Sequence, residues 1–213
     1  MRPVTTHEQV RGGALFALLA ACHPLPTLAV TTLATAVSVA AGRPALGCVL
    51  VAATVLAGQL SIGWSNDLVD LDRDVEARRP DKPLATGRVS VRVVAGACAV
   101  AVGTCVPLSL ANGWRAGTAH LLAVAGGWAY NLGLKRTVLS FTPYAVSFAL
   151  LTAFVTLGLP GEPWPQPWVL GAGALLGVGA HFLNVVPDVD DDLAAGIRGL
   201  PQRLGATRSA VVG

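Results

Sequence analysis

The chain has 213 residues, 53% of them hydrophobic and only 13% charged, with 15 basic and 12 acidic side chains for a net charge of +3. That composition excludes an ordinary soluble domain and describes an integral membrane protein. The small positive charge does not indicate a nucleic-acid partner, because no basic surface interleaved with aromatics is visible and membrane topology accounts for the basic residues.

Six uncharged stretches follow one another: Gly12 to Gly42, Pro44 to Asn66, Val93 to Trp114, Ala116 to Leu134, Thr137 to Gly161 and Pro163 to Pro187. Most reach the roughly 20 residues that cross a bilayer core, so the expected fold is all-α, a polytopic transmembrane bundle of six helices. The first stretch exceeds the roughly 7–15-residue core of a secretory signal and is followed by five more, which makes it a span. Cys22, Cys48, Cys98 and Cys105 lie within apolar stretches at spacings that match neither zinc nor redox sites, and read as small packing residues. With the N-terminus in the cytoplasm, thirteen of the 15 basic residues fall inside and only Arg43 and Arg115 outside. This asymmetry predicts a multi-pass protein with its N-terminus inside, and a bacterial cell membrane is the expected location. Trp114, Trp164 and Trp168 then mark the outer boundary.

Two acidic clusters close the second and sixth stretches, both on the predicted cytoplasmic side. They are Asn66-Asp67-Leu68-Val69-Asp70-Leu71-Asp72-Arg73-Asp74 and Asp188-Val189-Asp190-Asp191-Asp192, and each is followed by a basic, Gly-containing loop. The same arrangement recurring about four helices apart suggests a repeated unit around a shared site. On a helix, residues four apart share a face at about 6 Å per step, so Asn66, Asp70 and Asp74 line up, as do Asn184, Asp188 and Asp192. Two such faces turned toward each other gather four carboxylates, whose mutual repulsion a divalent cation relieves. All the donors are hard oxygens with no His or Cys among them, which points to Mg²⁺. Carboxylate-held Mg²⁺ keeps positions open for phosphate oxygens, so a diphosphate is the expected third party. Asp67 lies off the main face and is expected to be a supporting or catalytic group, whereas Asp72, Asp190 and Asp191 fit a solvated role.

Basic residues complete the pattern. Arg79-Pro80-Asp81-Lys82-Pro83-Leu84 follows the first cluster, and Lys135-Arg136 closes the fourth stretch. Arg79, Lys82, Lys135 and Arg136 are expected to bind phosphate oxygens and to stabilise charge on a departing diphosphate. His23 and His181 are placed to line a cavity or to pack, while His120 reads as structural. Tyr130 and Tyr144, the only tyrosines, fit either cation stabilisation or interfacial anchoring.

Asn66-Asp67-x-x-Asp70-x-x-x-Asp74 resembles the first signature, N-D-x-x-D-x-x-x-D, of the UbiA superfamily of intramembrane prenyltransferases. Asp188-x-x-x-Asp192, with Ala195-Gly196-Ile197-Arg198-Gly199-Leu200-Pro201 and Leu204-Gly205 downstream, resembles the second, D-x-x-x-D followed by A-G-x-x-T-L-P and L-G. Arg79-Pro80-Asp81-Lys82-Pro83-Leu84 with Gly87-Arg88, then Leu134-Lys135-Arg136 and an early His23-Pro24, where many members have Arg-Pro, extend the likeness over nearly the whole chain. The resemblance implies an enzyme that ionises an isoprenyl diphosphate with Mg²⁺ and transfers the prenyl group to an acceptor. In that reading Asn66, Asp70, Asp74, Asp188 and Asp192 hold the metal, and Asp67, Asp70 and Asp188 are catalytic. Lys82, Arg79, Lys135, Arg136, Tyr130 and His23 contact substrate, and the apolar interior shields the tail from water.

Two features depart from the pattern. Gly199 stands where Thr is common, and the family is similar to a nine-helix bundle of which six helices are expected here. Residues 1–213 therefore read as one UbiA-like domain, truncated at the C-terminus, with an inactive paralogue or fragment as an alternative. A CDP-alcohol phosphatidyltransferase would need D-G followed by A-R in one run, which is absent, and a cation transporter would carry its charges near the bilayer midplane. An aromatic ring, such as a quinone precursor, is the first expectation for the acceptor, with membrane lipid as the surroundings.

Overall fold

The computed structural model describes residues 6–213, with side chains from Gly13 onward. Arg2, Glu8 and Arg11, which enter the charge count above, lie outside the described side chains. The chain runs α1 (Thr6–Ala20), α2 (Pro24–Ala40), α3 (Ala45–Val69), α4 (Leu71–Glu76), α5 (Val91–Ala111) and α6 (Trp114–Leu132). It continues with α7 (Thr142–Leu157), α8 (Pro167–Val185), α9 (Val189–Ala194), α10 (Leu200–Leu204) and α11 (Ala206–Val212), and no strand occurs among the described residues. Two 3₁₀ turns, Leu134–Arg136 and Val186–Asp188, follow α6 and α8. Proline opens α2, α7 and α8 in the first turn, where its missing N–H goes unused.

All six predicted apolar stretches are helical, but the first is not one helix. It bends by 63° between α1 and α2. Pro24 clashes with a helical conformation at the residue before it, and His23 takes a left-handed conformation with φ 55° and ψ 69°. Ala45–Val69, Val91–Ala111 and the run Pro167–Ala194 are each long and apolar enough to cross a membrane, and the bent pair makes a fourth if counted as one span. The other two stretches are shorter or more polar: α7 has 16 residues, and α6 carries Arg115 and His120.

Helices α2, α3, α6 and α7 close on one another in a ring, with α5 packed outside α3 and α6 and α8 outside α7. Apolar side chains from α2, α3, α6 and α7 form one buried cluster, including Ala34, Val51, Val55, Ala119 and Phe154, and a second gathers around Trp64 where α1, α3 and α5 meet. Gly63 is required by a close approach: a Cβ there would strike the backbone carbonyl of Cys22. The bend between α1 and α2 therefore rests directly on α3, three residues before Asn66. Polar staples fix the helices at the same depth. Asn131 Nδ2 donates to Ser65 Oγ at 2.7 Å and to the Ile62 carbonyl at 2.9 Å, joining α6 to α3. Asn66 Nδ2 donates in turn to Asn131 Oδ1 at 3.2 Å. At the far end, buried Arg43 donates to Asn112 Oδ1 at 3.0 Å, while Trp114, Trp164 and Trp168 project outward.

Candidate active site

The first acidic cluster straddles a break. The helix α3 ends at Val69 and α4 restarts at Leu71, with Asp70 at the junction. The Asp70 N–H donates to the Asn66 carbonyl and the Asp74 N–H to the Asp70 carbonyl, each at 2.9 Å, so the i to i+4 pattern survives the break. The three carboxylates nevertheless meet different partners. Asp70 accepts from Lys135 Nζ with both oxygens, at 2.6 and 2.5 Å, and pairs with Arg73 at 2.8 Å. Asp67 is buried behind the rim, where Oδ1 accepts from Lys82 Nζ at 2.8 Å and lies 2.9 Å from His23 Nε2. Lys82 Nζ also lies 3.1 Å from His23 Nε2, so Asp67, Lys82 and His23 meet in one three-way contact. Asp67 Oδ2 is buried without a partner among the described residues.

Buried Asp74 turns away from the main cavity into a neighbouring pocket that it shares with Arg73, Arg79, Asp191 and Asp192. Burial pushes its carboxyl above the usual range, against the pull of Lys82 and Arg73. Burial likewise pushes the Lys135 ammonium down, and the Asp70 carboxylate beside it works against that shift.

The second cluster follows the 3₁₀ turn that Pro187 introduces after α8. Asn184, Asp188 and Asp192 still reach one cavity, as the four-residue spacing predicts. Arg79 is the bridge between clusters. Its Nη2 donates to Asp188 Oδ1 at 3.1 Å, its Nη1 lies 3.7 Å from Asp191, and its fork holds Asp81 with two bonds of 3.0 Å. That fork draws the Asp81 carboxyl below the ordinary carboxylate range and raises the Arg79 guanidinium. Asp192 accepts instead from Gln202 Nε2 at 2.7 Å.

Above this rim lies a cavity of about 430 Å³. Its apolar body is formed by residues such as Val30, Leu33, Val55, Ile62, Val124 and Leu151, and its charged mouth by Asn66, Asp70, Asp188, Asp192, Arg79, Lys82 and Lys135. Tyr130 and Tyr144 stand where the two parts meet, edge to face at 5.2 Å, with His181 4.9 Å from Tyr144.

A model of the UbiA prenyltransferase family matches residues 13–212. The chain belongs to that family. A lycopene elongase/hydratase from Halobacterium salinarum is 29% identical over 142 residues, which cover 65% of this chain and 51% of the relative, so the chain spans about half the length of the curated relative it matches. Two solved structures share the fold. A UbiA homolog from Archaeoglobus fulgidus, bound to GPP and Mg²⁺, superposes with a TM-score of 0.75 at 23% identity, covering 91% of this chain and 71% of that one. The apo UbiA homolog from Aeropyrum pernix gives 0.65 at 18% identity, covering 93% and 74%.

Within this UbiA chain, ten of the residues picked out from sequence come together. Asn66, Asp70, Asp188, Asp192, Arg79, Lys82, Lys135, Tyr130 and His23 border the cavity, with Asp67 directly behind. Arg136 is exposed and Asp74 borders the neighbouring pocket. Among the described residues no three carboxylate, His or Cys side chains converge as a ready-made metal site. The donors still suit a hard divalent ion, since they are all oxygens and basic side chains stand within reach to receive a second anion. Sequence reasoning left out three groups that organise the site: Asn131, Gln202 and Ser140. Asn131 carried a signal, an amide within an apolar stretch. Gln202 and Ser140 carried none, since a Gln in the C-terminal segment and a Ser in an uncharged stretch are ordinary.

Proposed function

We propose that this chain transfers a prenyl group from an isoprenyl diphosphate to an acceptor, an aromatic ring being the first candidate, in a Mg²⁺-dependent reaction at the cytoplasmic edge of a membrane. One observation carries the proposal: an apolar cavity opens on a rim where Asp70, Asp188 and Asp192 face Arg79, Lys82 and Lys135. The two halves match the two halves of an allylic diphosphate. GPP and Mg²⁺ in the Archaeoglobus fulgidus homolog, and DMAPP and Mg²⁺ in a second structure of it, support the same assignment.

Asn66, Asp70, Asp188 and Asp192 border the cavity and are the residues that would hold Mg²⁺, which supplies charge neutralisation on the diphosphate oxygens, whereas Asp74, expected with them from its spacing, faces the neighbouring pocket instead. Arg79, Lys82 and Lys135 bind the remaining phosphate oxygens and oppose the charge that grows as the allylic C–O bond breaks and its electron pair stays with diphosphate. Each of these cations is held by a carboxylate before ligand arrives, so binding exchanges partners rather than importing charge into a buried place. Tyr130 and Tyr144 flank the allylic end with aromatic faces, and the apolar walls keep water from the reacting carbon.

The test supplies membranes carrying this chain with labelled allylic diphosphates and an aromatic acid, with and without Mg²⁺. Metal-dependent prenylated product, lost in Asp70→Ala and Asp188→Ala, is expected. Product formation or diphosphate binding that ignores both substitutions would refute the assignment.

A further inference from the structure

The segment after the second acidic cluster folds back over the rim. Its Ile197 N–H donates to the Asp192 carbonyl at 2.8 Å, and α10 follows. Gln202, on α10, is only 5% exposed and donates from Nε2 to Asp192 Oδ2 at 2.7 Å. The other half of its amide is unsatisfied, because Oε1 is buried with no partner among the described residues. A residue retained for packing alone would be better as Leu or Met, which leave no buried acceptor unmet. The amide is therefore explained by its one bond, to Asp192.

Gly199 makes that bond sterically possible. A Cβ at this position would lie 2.7 Å from Gln202 Oε1, 2.6 Å from the Lys135 carbonyl and 3.0 Å from Ser140 Oγ. The Leu200 N–H donates to Ser140 Oγ at 3.1 Å, which fastens the start of α10 to the segment just after Lys135. Lys135 in turn grips Asp70. One short segment thus touches the second acidic cluster directly and lies against Lys135, the residue that holds Asp70 of the first.

We propose that Gln202 is a positioning residue for Asp192 and that Gly199, standing where the related motif has Thr, provides the space its amide occupies. This rests on the metal-diphosphate reading of the rim. Asp192 borders both the apolar cavity and the pocket beside Asp74, so its carboxylate has two directions open to it. Gln202 pins one oxygen and leaves the other for a ligand, the role that outer hydrogen-bond partners play for metal-binding carboxylates.

The experiment measures Mn²⁺ binding to the purified chain by electron paramagnetic resonance, with inorganic diphosphate present, beside thermal melts. Gln202→Met should weaken Mn²⁺ binding about tenfold with a melting temperature close to the parent's. Gly199→Thr should weaken binding likewise by displacing the amide, with a lowered melting temperature because its Cβ also meets the Lys135 carbonyl, and the double variant should bind no worse than the weaker single one. Should Gln202→Met fail to fold, Gln202→Asn, which withdraws the donor by one methylene, carries the same expectation. Asp70→Asn separates the two levels of the argument. If it abolishes binding while the Gln202 variant binds like the parent, the positioning role is wrong and the reading of the rim stands. If Asp70→Asn also leaves binding untouched, the reading of the rim itself fails.

Discussion

The carboxylates at the end of α3 and those at the end of α8 serve one site under different conditions. Asp67, Asp70 and Asp74 are 2–3% exposed and each already has a cation beside it, from Lys82, Lys135 or Arg73. The side chains of Asp188 and Asp191 are 46% and 67% exposed and share one guanidinium, that of Arg79. The first cluster is thus fixed before any ligand arrives, whereas Asp188 and Asp191 of the second are free to adjust. A buried charge that loses its partner costs far more than an exposed one, so the two clusters should separate stability from function.

Asp70→Ala should break the comparison most visibly. It strands the Lys135 ammonium in a buried place, an effect of about 3–5 kcal/mol on stability, and it removes turnover as well. Melting in detergent alongside the prenylation assay reads both losses. A variant that melts like the parent would show that the α3 cluster is not preorganised.

Asp188→Asn sharpens the contrast from the other side. Turnover should fall as far as in Asp70→Ala, yet stability should stay within about 1 kcal/mol of the parent. Arg79 keeps its two-bond grip on Asp81 in this variant, so no cation is stranded. Equal destabilisation by the two substitutions would mean that the clusters do not differ in the way their burial implies.

How much of this was legible beforehand follows from the same contrast. Apolar stretches and the i to i+4 spacing of the acids are local patterns, so the helices and the meeting of Asn66, Asp70, Asp188 and Asp192 could be read from the chain. The bend at His23 was also written there, in Pro24, although a hydropathy reading passes over it. What the pattern could not supply was which way each carboxylate faces after a break. Asp74 continues the spacing of Asp70 but follows a junction that sends it into the neighbouring pocket. Lys135 and Arg136 are adjacent and chemically alike, and only the 3₁₀ turn decides that the first is buried on Asp70 and the second exposed. The grip of Gln202 on Asp192 depends on a fold-back of the chain, a non-local contact that no periodicity announces.

Asp74→Asn tests a smaller effect and has a sign. Burial raises the folded-state pKa of Asp74, so the native state holds that proton more tightly than the unfolded chain does. Stability is therefore lost as pH rises from the ordinary carboxylate value through the raised one, and the loss persists above it. Asparagine removes the penalty. The variant should be more stable than the parent by about 1 kcal/mol at neutral pH, with the advantage disappearing as pH falls below the usual carboxylate range. Melts across that range check the sign, and an advantage that grew on acidification would contradict it.

Arg136→Ala should have the smallest effect of all, and for that reason it isolates the turn after α6 as the device that selects between two neighbouring cations. Lys135→Met removes a group that touches both Asp70 oxygens, whereas Arg136 has an exposed side chain and does not border the cavity. The KM for an isoprenyl diphosphate should rise steeply in the first variant and change less than about threefold in the second, as expected for a surface substitution worth within about 0.5 kcal/mol. A large rise for Arg136→Ala would mean that the turn rearranges when diphosphate binds and brings both cations to the phosphates. The fixed character assigned to the α3 side of the site would then have to be given up.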